Sequence, residues 1–196
     1  MSDSRITKQV MADALKALLR EEPFERISVS DLCEYCHMNR KSFYYHFRDK
    51  NDLVNWIFDT ELQSQTQLEA KTRIDTAHNY EEYWEGVELL CRYFYDNRIF
   101  YRSILKIEGQ NPFKDHFREV SCGILREQVQ TLLGTDAVHQ MVYDFVVDGM
   151  ICAIERWLLD RNCISTDQFV ENLQMLIRLL AAGMKRRSEE DPKWME

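Results

Sequence analysis

Residues 28–52 read SVSDLCEYCHMNRKSFYYHFRDKND, a run in which three helix starts follow one another closely. Ser28 offers a hydroxyl to the free amides at a helix N-terminus, and Asp31 stands three residues on, where a side chain can reach back to the cap. This helix carries Leu32 inward and runs out near Cys36. His37-Met38 makes the turn. Asn39 caps a second helix over 40–47, and Asp49 caps a third with Asp52 at its N3 position. Two short helices across such a turn form a helix-turn-helix, whose second helix lies in the major groove of DNA.

The second helix has the composition for that role. Arg40, Lys41, Ser42, Tyr44, Tyr45, His46, Arg48 and Lys50 supply cations and hydroxyls within about three turns. Phe43 and Phe47 stand four apart and pack inward on one face. The outward faces present Arg40, Lys41, Tyr44 and, from the far end, His46. Guanidinium pairs bidentately with guanine, while hydroxyls and ammonium groups reach phosphates. Between Asn39 and Lys50 four Lys/Arg stand against one Asp. A solvated basic helix with an aromatic core face would share this pattern.

The segment Ser28-Val-Ser-Asp-Leu32, the run Ser42-Phe-Tyr-Tyr-His-Phe47 and the following Asp49-Lys50 with its apolar helix resemble the DNA-binding domain of the TetR family of bacterial transcription regulators. The resemblance covers residues 5–57, and the rest is similar, more weakly, to the family's helical ligand and dimer domain. It implies base and backbone contacts for Arg40, Lys41 and Tyr44, with Tyr45 beside them on the reading helix. It implies phosphate contacts for Ser42, His46 and Lys50, and places Ser30 at the start of the supporting helix. Two departures stand out. His37 occupies a position where the family usually has Gly, in a turn that favours a left-handed backbone, and Arg40-Lys41 is more basic than usual.

Length and composition agree with an all-α chain of two domains. The 196 residues include only three Pro and six Gly. The net charge of −8 looks wrong for a DNA binder until it is partitioned: residues 1–56 hold nine basic and nine acidic residues, so the whole excess falls on 57–196. Acidic bulk beside a locally basic helix confines DNA to one face. The N-terminus MSDSRITKQ is polar and unlike a signal peptide, and the longest apolar run, 145–154, is broken by Asp148. A cytoplasmic protein without membrane contact is expected.

Along the chain, 6–20 reads as an amphipathic helix with Ile6, Val10, Ala14 and Leu18 on one stripe and Met11 and Leu15 beside it, stopped by Glu22-Pro23. Phe24 and Ile27 pack under the helix-turn-helix. The helix from Lys50 buries Leu53 and Ile57, with Trp56 and Leu62 as further candidates. Nothing breaks it before Arg73, so it links the domains. Tyr83, Trp84, Val87, Leu90, Cys91, Phe94 and Tyr95 define the next helix, and Asn97 breaks it. Residues 98–105 form a short aromatic helix, and Phe113, Phe117, Val120, Ile124, Val129 and Leu132 a longer one closed by Gly134. This alternation resembles the regulatory domain of a Firmicutes-type branch of the family. The domains expected are 1–56 for DNA, 57–187 for regulation and dimerisation, and a frayed tail over 188–196.

The last two helices are the most apolar. Thr135 or Asp136 caps one that carries Val138, Val142, Phe145, Val146, Gly149, Ala153, Ile154 and Trp157. Ser165 or Thr166 caps the other, with Phe169, Leu173, Leu176, Ile177, Leu180, Ala181 and Met184. The resemblance implies that this pair forms a four-helix dimer contact, although plain core would look alike. A dimer also suits a palindromic double-stranded operator, since one helix-turn-helix reads a half-site.

Other constellations divide between a functional and a packing role. Cys33-x-x-Cys36-His37 suggests a metal or thiol sensor, yet zinc knuckles need two such pairs, so buried packing thiols are the better reading and no metal or cofactor is expected. Phe94, Phe100, Tyr101, Phe113, Phe117, Tyr143 and Trp157, with Tyr93 nearby, either line a pocket for an apolar effector or form core. Asp144, Asp148 and Glu155 share a helix, but no nucleophile, histidine pair or phosphate loop accompanies them, and no enzyme is expected. The resemblance implies a homodimeric repressor released by an unidentified small ligand. An activator or co-regulator controlled by a protein docking on the C-terminal domain is the alternative.

Overall fold

The computed structural model describes residues 2–62, 80–107, 111–133 and 140–190. All regular structure among them is helical: α1 Ser2–Leu18, α2 Val29–Tyr35, α3 Arg40–His46, α4 Lys50–Leu62, α5 Tyr80–Asp96, α6 Arg98–Leu105, α7 Pro112–Leu133, α8 Gln140–Leu159 and α9 Thr166–Glu190. The all-α class expected from the sequence is what the structure has. By packing, the chain falls into two units, Met1–Ser64 with Asn97–Phe117, and Gln65–Asp96 with Arg118–Glu196. The polar run 63–67, the continuation of α4 to Arg73, the turns at Gly109 and Gly134, the caps at Thr135 and Asp136, Val138 and residues 191–196 lie outside the described residues, as do the side chains of Tyr83, Ile124, Val129, Leu132, Val142, Leu180, Ala181 and Met184.

In the first unit α1, α2, α3 and α4 pack around Met11, Leu15, Ile27, Leu32, Phe43, Leu53 and Ile57, all almost wholly buried. The inward stripe of α1 is not the expected one. Ile6 and Val10 are exposed, and burial begins at Met11 and continues through Ala14, Leu15 and Leu19. The fully buried apolar side chains of this helix lie in its later turns, which pack on the three helices that follow. On α4, Leu53 and Ile57 are buried as expected, joined by Val54 and Phe58, while Trp56 is half-buried with its ring 5.8 Å from Phe47.

Phe58 sits in an aromatic cluster with Phe113 and Phe117, each 5.5 Å away and edge-on, an arrangement the ring quadrupole favours. Asp59 and His116 are hydrogen-bonded at 2.7 Å between the same two helices. Asn111, itself buried, links the neighbouring elements. Its amide donates to the Ile104 carbonyl at 2.9 Å, and its side-chain oxygen accepts from the Phe113 and Lys114 amides at 3.1 and 3.2 Å. One side chain thus closes α6 and caps α7.

In the second unit α5 packs on α9, with Arg92 donating to Asp167 at 3.2 Å. Trp157 of α8 lies flat on Phe169 of α9 at 4.2 Å and on Tyr95 of α5 at 5.6 Å, and its indole N–H holds the Ile164 carbonyl at 2.8 Å. Ser165 and Gln168 exchange hydrogen bonds at the start of α9, so Ser165 is the cap. Phe145 and Leu176, which the sequence left open between a dimer contact and plain core, are exposed at 72% and 52%, and Met141, Met175 and Leu179 are exposed with them. The apolar period of these helices is wider than the strip their neighbours cover, so part of each stripe is left outside.

Candidate nucleic-acid interface

The turn that carries the interface is built by local hydrogen bonds. Asp31 N–H donates to Ser28 Oγ at 3.2 Å and Ser28 N–H to Asp31 Oδ2 at 2.7 Å, a reciprocal cap that holds the Asp31 carboxyl below its ordinary pKa. Helix α2 ends at Tyr35. His37 then takes φ 54°, the left-handed conformation that a glycine would adopt without cost. Its N–H donates to Glu34, and Met38 N–H to the Cys33 carbonyl at 2.8 Å, which turns the chain into α3. Asn39 accepts from Ser42 N–H at 2.8 Å, and Asp49 accepts from the Asn51 and Asp52 amides at 2.7 and 2.9 Å.

Helix α3 is divided cleanly. Phe43 is fully buried and Phe47, its C-cap, nearly so, with their rings 5.7 Å apart. Arg40 and Lys41 are exposed, Tyr44 and Tyr45 are exposed at 51% and 83%, and Ser42 and His46 are half-buried. The Arg40 guanidinium lies over the Tyr44 ring at 5.9 Å, which restrains a long side chain on the open face. Ser30 is exposed near the start of α2.

Lys50 is placed differently from its neighbours. Its ammonium donates to the Phe24 and Ile27 carbonyls and lies over the Phe24 ring at 4.2 Å, and burial draws its pKa down. It clasps α4 to the chain before α2. Sequence reading passed over Lys8 of α1, whose ammonium is 5.3 Å from the Phe47 ring and 5.6 Å from the Trp56 ring. Burial first, and the Lys8 charge second, hold His46 below its ordinary pKa. The only sequence signal for Lys8 was a basic residue on the polar side of a scaffold helix.

The other clusters are located as follows. Cys33 is buried and Cys36 half-buried, and burial raises both thiols, so neither is held as a reactive thiolate. Asp144 and Asp148 hold Arg118: Nε donates to Asp148 at 2.5 Å, and Nη2 to Asp148 and Asp144 at 3.1 Å each. All seven pocket aromatics are buried, but they do not share one unit: Phe100, Tyr101, Phe113 and Phe117 belong to the first, and Phe94, Tyr143 and Trp157 to the second. No described helix is long and apolar enough to cross a membrane.

Comparison with known proteins bears on the same residues. A family model described as bacterial regulatory proteins, tetR family, matches residues 12–57, and one described as transcriptional regulator C-terminal region matches 81–179, about half of the chain. The HTH-type dhaKLM operon transcriptional activator DhaS of Lactococcus lactis subsp. lactis (strain IL1403) is 31% identical over 108 residues, 55% of this chain and 54% of that protein. The match thus spans about half the length of that relative. The solved structure of the dihydroxyacetone kinase operon activator DhaS has TM-score 0.60 at 22% identity, covering 92% of this chain and 97% of that one. A TetR transcriptional regulator from Streptococcus agalactiae 2603V has TM-score 0.65 at 16% identity, covering 90% and 96%. At these identities the structures speak for the fold. Regulators of this kind bind DNA, generally act as dimers and are generally not enzymes. With the family models matched at both ends and the helix-turn-helix in place, the chain belongs to the TetR family of transcriptional regulators.

Proposed function

We propose that this protein is a cytoplasmic, homodimeric regulator that reads a palindromic double-stranded operator with α3. The observation that carries the reading is the division of that helix: Phe43 and Phe47 anchor it, while Arg40, Lys41, Tyr44 and Tyr45 stand in solvent. Arg40 and Tyr44 select bases; Lys41, Ser42, Tyr45 and His46 hold phosphates, with Ser30 at the edge of the footprint. The two copies meet through the apolar faces that α8 and α9 leave exposed, which sets two half-sites in register. In this reading the chain acts as a repressor, its dimer blocking transcription by occupancy where the operator overlaps a promoter. A small apolar effector releases it by binding the unbound conformation more tightly.

A second reading, transcriptional activation, is favoured by the similarity to DhaS, which is named an activator; in this reading a protein docking on the C-terminal domain takes the place of the small effector. Selection of duplexes from a random pool, followed by transcription from the protein's own upstream DNA, tests both. Arg40→Ala and Tyr44→Ala are each expected to cost about 1–3 kcal/mol of discrimination between selected and unrelated duplexes. Less transcript with added protein supports repression, and more supports activation. Binding indifferent to sequence and to both substitutions would sink the operator-reading proposal.

A further inference from the structure

The first turns of α1 carry a basic group whose place beside the reading helix is not explained by the scaffold role of that helix. Lys8 is half-buried, with its ammonium over the Phe47 and Trp56 rings. Ring faces restrain the cation but take none of its three N–H donors in a strong hydrogen bond. Helical spacing gives it Ser4, Arg5, Met11 and Ala12 as neighbours at three and four residues, none of them a carboxylate. Arg5 adds a second exposed cation one turn earlier. His46 lies beside the same Phe47 ring, with centroids 6.4 Å apart, so both basic side chains border one aromatic group, and the Lys8 charge opposes protonation of the imidazole. The nearby Arg48 is already engaged, through both its N–H and its guanidinium, with Asp52.

The Lys8 charge opposes protonation of His46 in the free protein, and an anion brought to both attracts each cation, outweighs their repulsion and favours the protonated imidazole. The helix-turn-helix delivers a polyanion to this edge, where the C-terminal end of α3 meets α1. We propose that Lys8 and His46 together form a phosphodiester-binding pair, extending the DNA footprint from the helix-turn-helix onto the first helix. This rests on the reading of α3 as the DNA-facing helix. Lys8 acts as a point charge on the backbone and carries no base preference.

The test is the salt dependence of binding to the selected duplex and to an unrelated duplex, for the wild type, Lys8→Gln, Lys8→Arg and Arg40→Ala. Lys8→Gln is expected to weaken both duplexes by the same factor and to lower the slope of log K against log salt by about 1. Lys8→Arg keeps the charge and is expected to keep the slope. Thermal melting of each free variant separates loss of contact from loss of fold: an affinity loss in Lys8→Gln with unchanged slope is a structural effect and overturns the proposal. An unchanged slope and affinity in Lys8→Gln, with discrimination still lost in Arg40→Ala, also overturns it while leaving the α3 reading in place. Failure of Arg40→Ala to alter discrimination removes the α3 reading and this proposal with it.

Discussion

The Lys50 ammonium donates to the main-chain oxygen of Ile27 at 2.8 Å, joining residues 23 apart in the chain. It donates also to Phe24 at 2.5 Å and covers the Phe24 ring, so one side chain holds the start of α4 against the segment that leads into α2. Lys50→Ala leaves two part-buried carbonyls without this donor and is expected to cost about 1–3 kcal/mol of stability. Denaturant unfolding checks it, with a lower midpoint at unchanged m. DNA binding, measured where the variant is folded, keeps the wild-type salt slope. A slope lower by about 1 would return Lys50 to the phosphate role that the family resemblance implies.

His37 supplies a second test of the same turn. Its φ of 54° strains a side chain with a Cβ, and the imidazole is exposed, while the turn hydrogen bonds run through the main chain. His37→Gly is therefore expected to stabilise the protein by about 0.5–1 kcal/mol, reduced from the full strain by the greater entropy of glycine in the unfolded chain. Equilibrium denaturation reads the gain directly. A loss of stability would mean that the imidazole holds the turn.

The apolar faces of α8 and α9 make a prediction about assembly. Phe145 is exposed in the single chain, so burying it requires another molecule, whereas removing it disturbs little of the fold. Phe145→Asp is expected to shift sedimentation from dimer to monomer with the helical signal retained. Operator affinity falls with it, because half-sites are then bound one at a time. A variant that sediments as the wild type would place the two-fold contact elsewhere.

Stability should fall in two separate windows as the solution is acidified. His46 has its pKa lowered by burial and by Lys8, so the unfolded chain takes up the proton first, and stability drops as pH falls below about 6.5, the unfolded value. Asp31 has its pKa lowered by its hydrogen bonds to Ser28, so its contribution is present above about 3.9 and is lost as pH falls through the lower folded value. His46→Gln is expected to flatten the upper window and Ser28→Ala the lower one. Unfolding free energies measured across pH 3–8 would refute the assignment if either substitution flattened the wrong window.

The helix-turn-helix was legible because its determinants are local. A capping side chain reaches an amide three residues away, and Phe43 and Phe47 share a face by helical period alone. Ser28, Asn39 and Asp49 therefore announce three helices before any tertiary contact exists. The outward side chains of α3 follow, since burying two aromatics leaves the remaining faces to solvent. Asn111 was legible only in part: its caps to the Phe113 and Lys114 amides are local, but an Asn before a Pro reads as a turn, and its bond to the Ile104 carbonyl appears only when α6 and α7 are placed together.

Amphipathic period shows that a helix has an apolar side, but not how much of that side a neighbour covers. Ile6 and Val10 belong to the apolar stripe of α1, and Phe145 and Leu176 to those of the second unit, yet all four stay exposed, because the packed neighbours cover only part of each stripe. Charge behaves alike. Arg40, Lys50 and Lys8 are equivalent as letters, yet one stands in solvent over a tyrosine, one is tied to two carbonyls, and one rests on aromatic rings beside His46. The sequence by itself determined the all-α class, the caps, the turn and the face of the reading helix, all set by contacts within about four residues. Only the tertiary structure decided which apolar residues stay exposed and which cations are already engaged, because both depend on side chains that the chain brings together from far apart.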